Sequence, residues 1–336
     1  MNLFTLLDQA ARRFPQHGAV YRGVLPVRTW AALRDRALRL AGGLERRHPP
    51  GTRIAIFSEN CPEYIEALFA CWAAGLAAVP MNAKLHPREA ADILQDSGAA
   101  AVLASPALAG ALAGAPGPSG AEAGIVVIGA ADYDRLAGGS PTVPADVAPE
   151  TLAWLFYTSG TTGRSKGAML THRNLMAMAV AHLADVESAD EHCSLLHAAP
   201  MSHGSGLYIL PYLARGARQV IPDSAAFEPA EFLQLCGRHP ACSAFLAPTM
   251  VRRLRVAAER DGCPPNLRTI VYGGGPMYVE DLKKSIGVLG QIFIQIYGQG
   301  EAPMTITSLR REDHHGSADD ILGSVCLLYT SDAADE

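Results

Sequence analysis

Ten consecutive residues, Thr158-Ser-Gly-Thr-Thr-Gly-Arg-Ser-Lys-Gly167, hold three glycines, five hydroxyl side chains and one lysine. That mixture suits a polyphosphate. Glycines let the backbone bend until several N–H groups converge on one anion, hydroxyls add donors, and Lys166 supplies charge. The order is not that of the common P-loop, because Ser165 stands where G-x-x-x-x-G-K-[ST] needs its second glycine and Gly167 where it needs Ser or Thr. A conventional P-loop ATPase is thereby disfavoured. The bland alternative is a Gly/Ser/Thr surface loop with no ligand. One further stretch, Gly273-Gly-Gly-Pro276, could let a flat ring approach bare backbone, whereas Tyr297-Gly298 taken alone reads as a turn. His192, His197 and His203 lack the spacing of a metal set, and a lone histidine such as His203 is by default a satisfied loop or core residue.

The elements around these stretches alternate. The apolar segment 152–157 leads into the glycine-rich run as a strand, and a helix over 173–185 follows it, with Thr171 as its cap. Upstream, strands are expected at 54–58, 77–80, 99–103 and 124–128, with helices at 62–74, opening on Pro62, and at 87–96. Residues 106–123, rich in Ala, Gly and Pro, carry no period and read as a surface excursion. Downstream, strands are expected at 194–198, 219–221, 243–246, 268–272 and 291–296. Helices are expected at 206–215, 229–238, 249–259 and 279–289. Such alternation predicts an α/β fold with largely parallel sheets flanked by helices.

At 336 residues, with 49% hydrophobic and 18% charged side chains, the chain reads as globular and long enough for about two domains. A formal net charge of −5 leaves no footprint for nucleic acid or an anionic membrane. The early arginines (Arg34, Arg36, Arg39, Arg46, Arg47) recur at helical spacing and read as a solvated helix face. Seven cysteines, an odd number with no C-x-x-C pair, read as buried free thiols in a reducing compartment. No apolar run approaches the ~20 residues that span a bilayer. A cytoplasmic protein without an integral membrane span is the expectation.

Taken with its neighbours, the run Tyr157–His172 closely resembles the phosphate-binding signature of adenylate-forming (AMP-binding) enzymes of the acyl-CoA synthetase type. Ala199-Pro-Met-Ser-His203-Gly, Val271-Tyr-Gly-Gly-Gly-Pro-Met277 and Gln295-Ile-Tyr-Gly-Gln-Gly-Glu301 are similar to three further motifs of that family, in the same order. The resemblance runs from residue 1 to about 325, including Thr29–Leu33 and Arg53–Phe57. It implies stacked, mostly parallel sheets, with two α/β subdomains at approximately 1–185 and 186–325. It also implies ATP-dependent activation of a carboxylic acid, with transfer of the acyl group to coenzyme A. Thr158, Ser159, Gly160, Thr161, Thr162, Gly163 and Lys166 would then hold phosphates. Gly273, Gly274, Gly275, Pro276, Tyr297, Gly298, Gln299 and Gly300 would frame the nucleotide, and Glu301 would hold Mg²⁺. His203 would border the acyl site. The implied catalytic set is Lys166, Glu301 and His203. The family's amino-acid-activating version, which delivers to a carrier protein, places an aspartate near 198–203. Only small residues and His203 stand there, which favours a fatty or aryl acid.

Two departures qualify the resemblance. Gly300 occupies a position where the family usually has a threonine that contacts the α-phosphate; one charge-assisted hydrogen bond of that kind contributes ~1.5–3 kcal/mol. Beyond Val325 the family continues into a β-rich subdomain and a mobile C-terminal domain carrying the adenylation lysine. The chain instead ends Cys326-Leu-Leu-Tyr-Thr-Ser-Asp-Ala-Ala-Asp-Glu336, which reads as translated adapter sequence and not as a native segment. A genuine variant terminus would bury Leu327, Leu328 and Tyr329. The chain as it stands would then be a nucleotide-binding fragment, and turnover by it is the point to be measured.

Overall fold

The computed structural model describes residues 1–113, 124–158, 165–316 and 318–324. Two sheets organise them. One comprises β3 (Arg53–Phe57), β4 (Ala77–Met81), β5 (Ala101–Ala104), β6 (Gly124–Val127), β7 (Leu152–Thr158) and β8 (Lys166–Thr171). Its six strands stand in the order β6-β5-β3-β4-β7-β8. The second comprises β1 (Gly18–Arg22), β2 (Leu25–Thr29), β9 (Ser194–Leu196), β10 (Arg218–Ile221), β11 (Cys242–Leu246), β12 (Leu267–Tyr272), β13 (Phe293–Tyr297) and β14 (Thr307–Leu309). Its eight strands stand in the order β14-β13-β12-β11-β9-β10-β1-β2. Pairing is parallel except for β1/β2, β7/β8 and β13/β14. The hairpin β1–β2 leaves its sequence neighbours and docks on β10, so the chain crosses between the sheets before residue 53.

Alternation along the strands sends side chains to two sides of each sheet, and both sides are buried, which is why the strands read as continuous apolar runs. Ile54, Ile56 and Trp154 of one sheet and Leu195, Val271 and Ile294 of the other enter a shared central core. That core is filled by helices α1 (Phe4–Arg13), α2 (Trp30–Glu45) and α3 (Pro62–Ala73). The opposite face of the six-stranded sheet (Ala55, Phe57, Val102, Leu155, Tyr157) packs on α4 (Pro87–Ser97) and α5 (Pro106–Ala113). The outer face of the larger sheet takes a third layer, Pro229–Arg238, Pro248–Asp261 and Val279–Leu289. The expected α/β fold of mostly parallel sheets between helices is the observed one.

Local chemistry explains several element boundaries. Thr171 caps the helix His172–Ala181, accepting from the Asn174 N–H at 3.2 Å while Asn174 Oδ1 accepts from the Thr171 N–H at 3.0 Å. Proline opens α3, α4 and two outer helices, where its missing N–H costs nothing.

Other boundaries differ from the sequence reading. The helix over 173–185 gives way at His182 to a π-helical segment, His182–Val186. The expected helix 206–215 is two pieces, Gly204–Leu207 and Ile209–Ala214. Pro211 has no N–H to give to Leu207, so the ladder breaks between them. The segment 106–113 is helical and not an excursion, while 114–123 lies outside the described residues. The early arginines are only in part a solvated face: Arg46 and Arg47 are exposed, but Arg36, with Arg28, reaches the buried carboxylate of Glu66 at 3.1 and 3.0 Å, and Arg34 pairs with Asp8. Among the described residues, six cysteines are free thiols, four of them buried. Residues 325–336, with Leu327, Leu328 and Tyr329, lie outside the described residues. Among those described, no helix is long and apolar enough to cross a membrane.

Candidate active site

Strands β9, β11, β12 and β13 run parallel and therefore end on one edge of their sheet, at residues 196, 246, 272 and 297. In open α/β sheets, ligands bind in the crevice beyond such carboxyl ends. The segments that follow three of these ends include the motifs singled out in the sequence: 197–203 after β9, Gly273–Met277 after β12 and Gly298–Met304 after β13. The hairpin β7–β8 of the other sheet reaches the same edge. Its last registered pair is Thr158 with Lys166. Ser159, Gly160, Thr161, Thr162 and Gly163 lie outside the described residues.

Close contacts join these segments. The His203 ring meets Phe156 of β7 edge to face, centroids 5.4 Å apart. Gly300 is buried against the same strand; a Cβ added there would stand 2.8 Å from Thr158 Cγ2 and 3.3 Å from Phe156 Cδ1. Phe245, at the end of β11, lies between two of the segments. A Cβ on Gly204 would be 2.4 Å from its ring, and one on Gly274 would be 3.8 Å away. Gly274 adopts φ +75°, the left-handed region open to glycine. Gly298 is closed in by the returning loop, since a Cβ would stand 2.2 Å from the Met304 nitrogen. Thr158, His203, the Gly273–Gly275 turn and Gly300 thus share one neighbourhood, with Tyr297, Gln299 and Glu301 on either side of Gly300.

Exposure sorts their possible roles. Gly274, Gly275, Pro276, Tyr297, Gln299, Glu301 and Lys166 face solvent, and the Tyr297 hydroxyl accepts from Gln299 Nε2 at 2.8 Å. Tyr297 therefore presents a ring beside a turn of bare backbone, a fit for a flat heterocycle. Glu301 and Lys166 form no ion pair among the described residues, so both are open to a ligand. No cluster of three or more His, Cys, Asp or Glu able to hold a metal occurs among those residues. A lone carboxylate suits Mg²⁺, which keeps waters and completes its shell from substrate phosphates. Burial lowers the pKa of His203 and keeps its imidazole neutral; Nδ1 lies 2.9 Å from Ser202 Oγ. His197 is no ligand. Fully buried, with its pKa lowered to about 4, it is bonded by Ser205 Oγ at 2.8 Å and Gln219 Oε1 at 3.0 Å.

Sequence reasoning missed two contributors. Phe156 and Phe245 sit in ordinary apolar strands, and nothing local marks them. On the other face of β7, Glu89, Asp92 and Asp96 of α4 line a separate cavity of about 460 Å³ beside Tyr157 and Ser165, where Tyr157 donates to Asp96 Oδ2 at 2.5 Å.

Comparison with known proteins agrees with this geometry. Residues 7–326 match the family model of the AMP-binding enzymes. The chain is 34% identical over 305 residues to a feruloyl-CoA synthase of Amycolatopsis sp, covering 90% of this chain and 60% of that protein. It is 33% identical over 177 residues to the medium/long-chain-fatty-acid–CoA ligase FadD8 of Mycobacterium tuberculosis, covering 52% and 30%. The N-terminal domain of FACL13 from Mycobacterium tuberculosis superposes with TM-score 0.83 at 25% identity, over 93% of this chain and 79% of that one. O-succinylbenzoate coenzyme A synthetase from Bacillus subtilis, in complex with AMP, superposes with TM-score 0.80 at 26% identity, over 97% and 64%. The chain spans about 60% of the length of the feruloyl-CoA synthase. With the fold, the crevice and the order of its motifs all in agreement, the chain belongs to the AMP-binding enzyme family.

Proposed function

We propose that the protein activates a carboxylic acid with ATP, forming an acyl-adenylate and pyrophosphate, and that the acyl group then passes to the thiol of coenzyme A. The observation that carries this reading is the convergence of the Thr158/Lys166 hairpin, the Gly273–Gly275 turn and the Tyr297–Glu301 loop on one strand-end crevice. An acid oxygen must attack the α-phosphorus of a polyanion, so catalysis rests on positioning and charge neutralisation. Thr158 to Gly163 and Lys166 would hold the phosphates. Gly273 to Pro276 and Tyr297 to Gly300 would frame the nucleoside. Glu301 would hold Mg²⁺, which when bound offsets phosphate charge. His203, neutral and backed by Phe156, would border the acid. Phe156 beside His203 and Phe245 beside Gly204 and Gly274 support an aryl acid over a fatty one, as does the feruloyl-CoA synthase relative. No carboxylate occurs between Ala198 and Gly204 to hold an α-ammonium, which disfavours an amino acid. The free thiols support a reducing, cytoplasmic setting.

The test is titration of the 336-residue chain with ATP and, separately, with ferulate. Lys166→Ala should weaken ATP about 10- to 100-fold, the loss of one charge-assisted contact of ~1.5–3 kcal/mol, and leave ferulate within about twofold. Equal losses for both would remove Lys166 from the phosphate site. Pyrophosphate release by the same chain distinguishes turnover from binding alone.

A further inference from the structure

One buried side chain outside the crevice holds the segment that carries His203. Asn60 follows β3 of the six-stranded sheet, while residues 197–201 follow β9 of the other. The Asn60 amide donates to the carbonyls of His197 at 2.8 Å and Ala199 at 2.9 Å, and its oxygen accepts from the Met201 N–H at 2.8 Å. Both donors and the acceptor are engaged, which fixes the amide's orientation. The residue is 7% exposed and Met201 fully buried, so water cannot readily replace these bonds. His203 hangs from the clamped stretch by one turn, its N–H donating to the Pro200 carbonyl at 3.1 Å. A second restraint closes the other side, because Gly206 passes so near Met201 that a Cβ there would stand 1.7 Å from the Met201 oxygen.

We infer that Asn60 is a positioning residue for the acid-binding side of the crevice: it sets the seat of His203 against Phe156 across the two sheets. Asn60 itself touches no candidate ligand. The functional limb of this inference rests on the reading that His203 borders the acid; the structural limb does not. Nucleotide-side residues (Gly273–Pro276, Tyr297–Glu301) follow other strands, so a loss of Asn60 should separate the two substrates.

The experiment compares the full chain with its Asn60→Ala and Asn60→Ser variants. Far-UV circular dichroism reports folding. The His203 ring signal, assigned through His203→Phe, is followed by carbon-edited NMR against pH. In folded Asn60→Ala the His203 midpoint should rise towards the ordinary histidine value of about 6.5 as the ring leaves its seat. Asn60→Ser should fall between. His239, buried elsewhere and bonded to the Gly23 carbonyl at 2.9 Å, should keep its midpoint. Ferulate affinity should fall on the order of tenfold and ATP affinity by less than about twofold. An unmoved His203 midpoint in a folded variant overturns the inference, as does a parallel shift of His239, which would mean general loosening. Failure of both variants to fold would make Asn60 a stability residue only and equally overturn it. Failure of the wild-type chain to bind ATP or ferulate would count against the proposed function, while the NMR comparison would still decide the position of His203.

Discussion

Gly300 offers the sharpest test of how the two halves of the crevice fit. Its Cβ, if present, would stand 2.8 Å from Thr158 Cγ2 and 3.3 Å from Phe156 Cδ1, with Ala168 Cβ at an ordinary 3.6 Å. Carbon atoms prefer about 3.5–4.0 Å, so Gly300→Ala forces the Thr158 methyl to yield by roughly 0.7 Å or more. Overpacking of this kind costs about 1–3 kcal/mol. Against it stands a gain of about 0.4–1 kcal/mol, because alanine narrows the unfolded ensemble and the native backbone here is not left-handed. The net expectation is a loss of about 0.5–2 kcal/mol. Thr158→Ser deletes the obstructing methyl and keeps the hydroxyl, so in that background most of the loss should vanish. Urea unfolding of the four proteins of this cycle measures the coupling, expected at about 1 kcal/mol. Additivity within about 0.3–0.5 kcal/mol would refute the contact. A threonine at position 300 should be tolerated worse than alanine in the wild-type background and better in the Thr158→Ser background.

Two further outcomes are expected. Burial holds the histidine pKa values of His172, His182 and His197 at about 4, about 3 and about 4, below the unfolded value of about 6.5. The unfolded chain therefore binds more protons below about pH 6.5, and stability should fall as pH drops from about 6.5 towards 4, by at most about 4 kcal/mol per unit for all three together; urea midpoints that stay level between about pH 7 and 5 would contradict this. Thr171→Ala removes the side-chain half of the capping box at the end of β8 and should cost about 1 kcal/mol by thermal unfolding, with little further loss when Asn174→Ala is added.

What the sequence disclosed follows from where each signal resides. The helices at 229–238 and 279–289 were legible to the residue because a proline or an acidic first turn opens them and one face is apolar. The glycine-rich run, the Gly273 turn and Tyr297–Glu301 could be found because their composition is unusual over a few residues. The hairpin at 18–29 was not, since Gly18–Arg22 and Leu25–Thr29 are short and half-exposed and β1 takes its parallel partner from about 200 positions away. The helix at 106–113 escaped because a stretch of alanines has no hydrophobic period to read. Asn60 and Phe245 matter only through residues that folding brings to them, so no window of sequence contains the signal.

The docking of β1 on β10 also fixes an order of events. Val20 pairs with Gln219 and Arg22 with Ile221, so strand β1 has no parallel neighbour until the ribosome has delivered residue 221. Until then the first hairpin can hold only its own two strands, a marginal structure in water. At about 5–20 residues per second it waits on the order of ten to forty seconds, with its open edge exposed to other chains. The six-stranded sheet, complete by residue 171, can form in that interval. The larger sheet must then admit a segment made about 200 residues earlier, and this late, long-range closure is where misfolding during synthesis should concentrate.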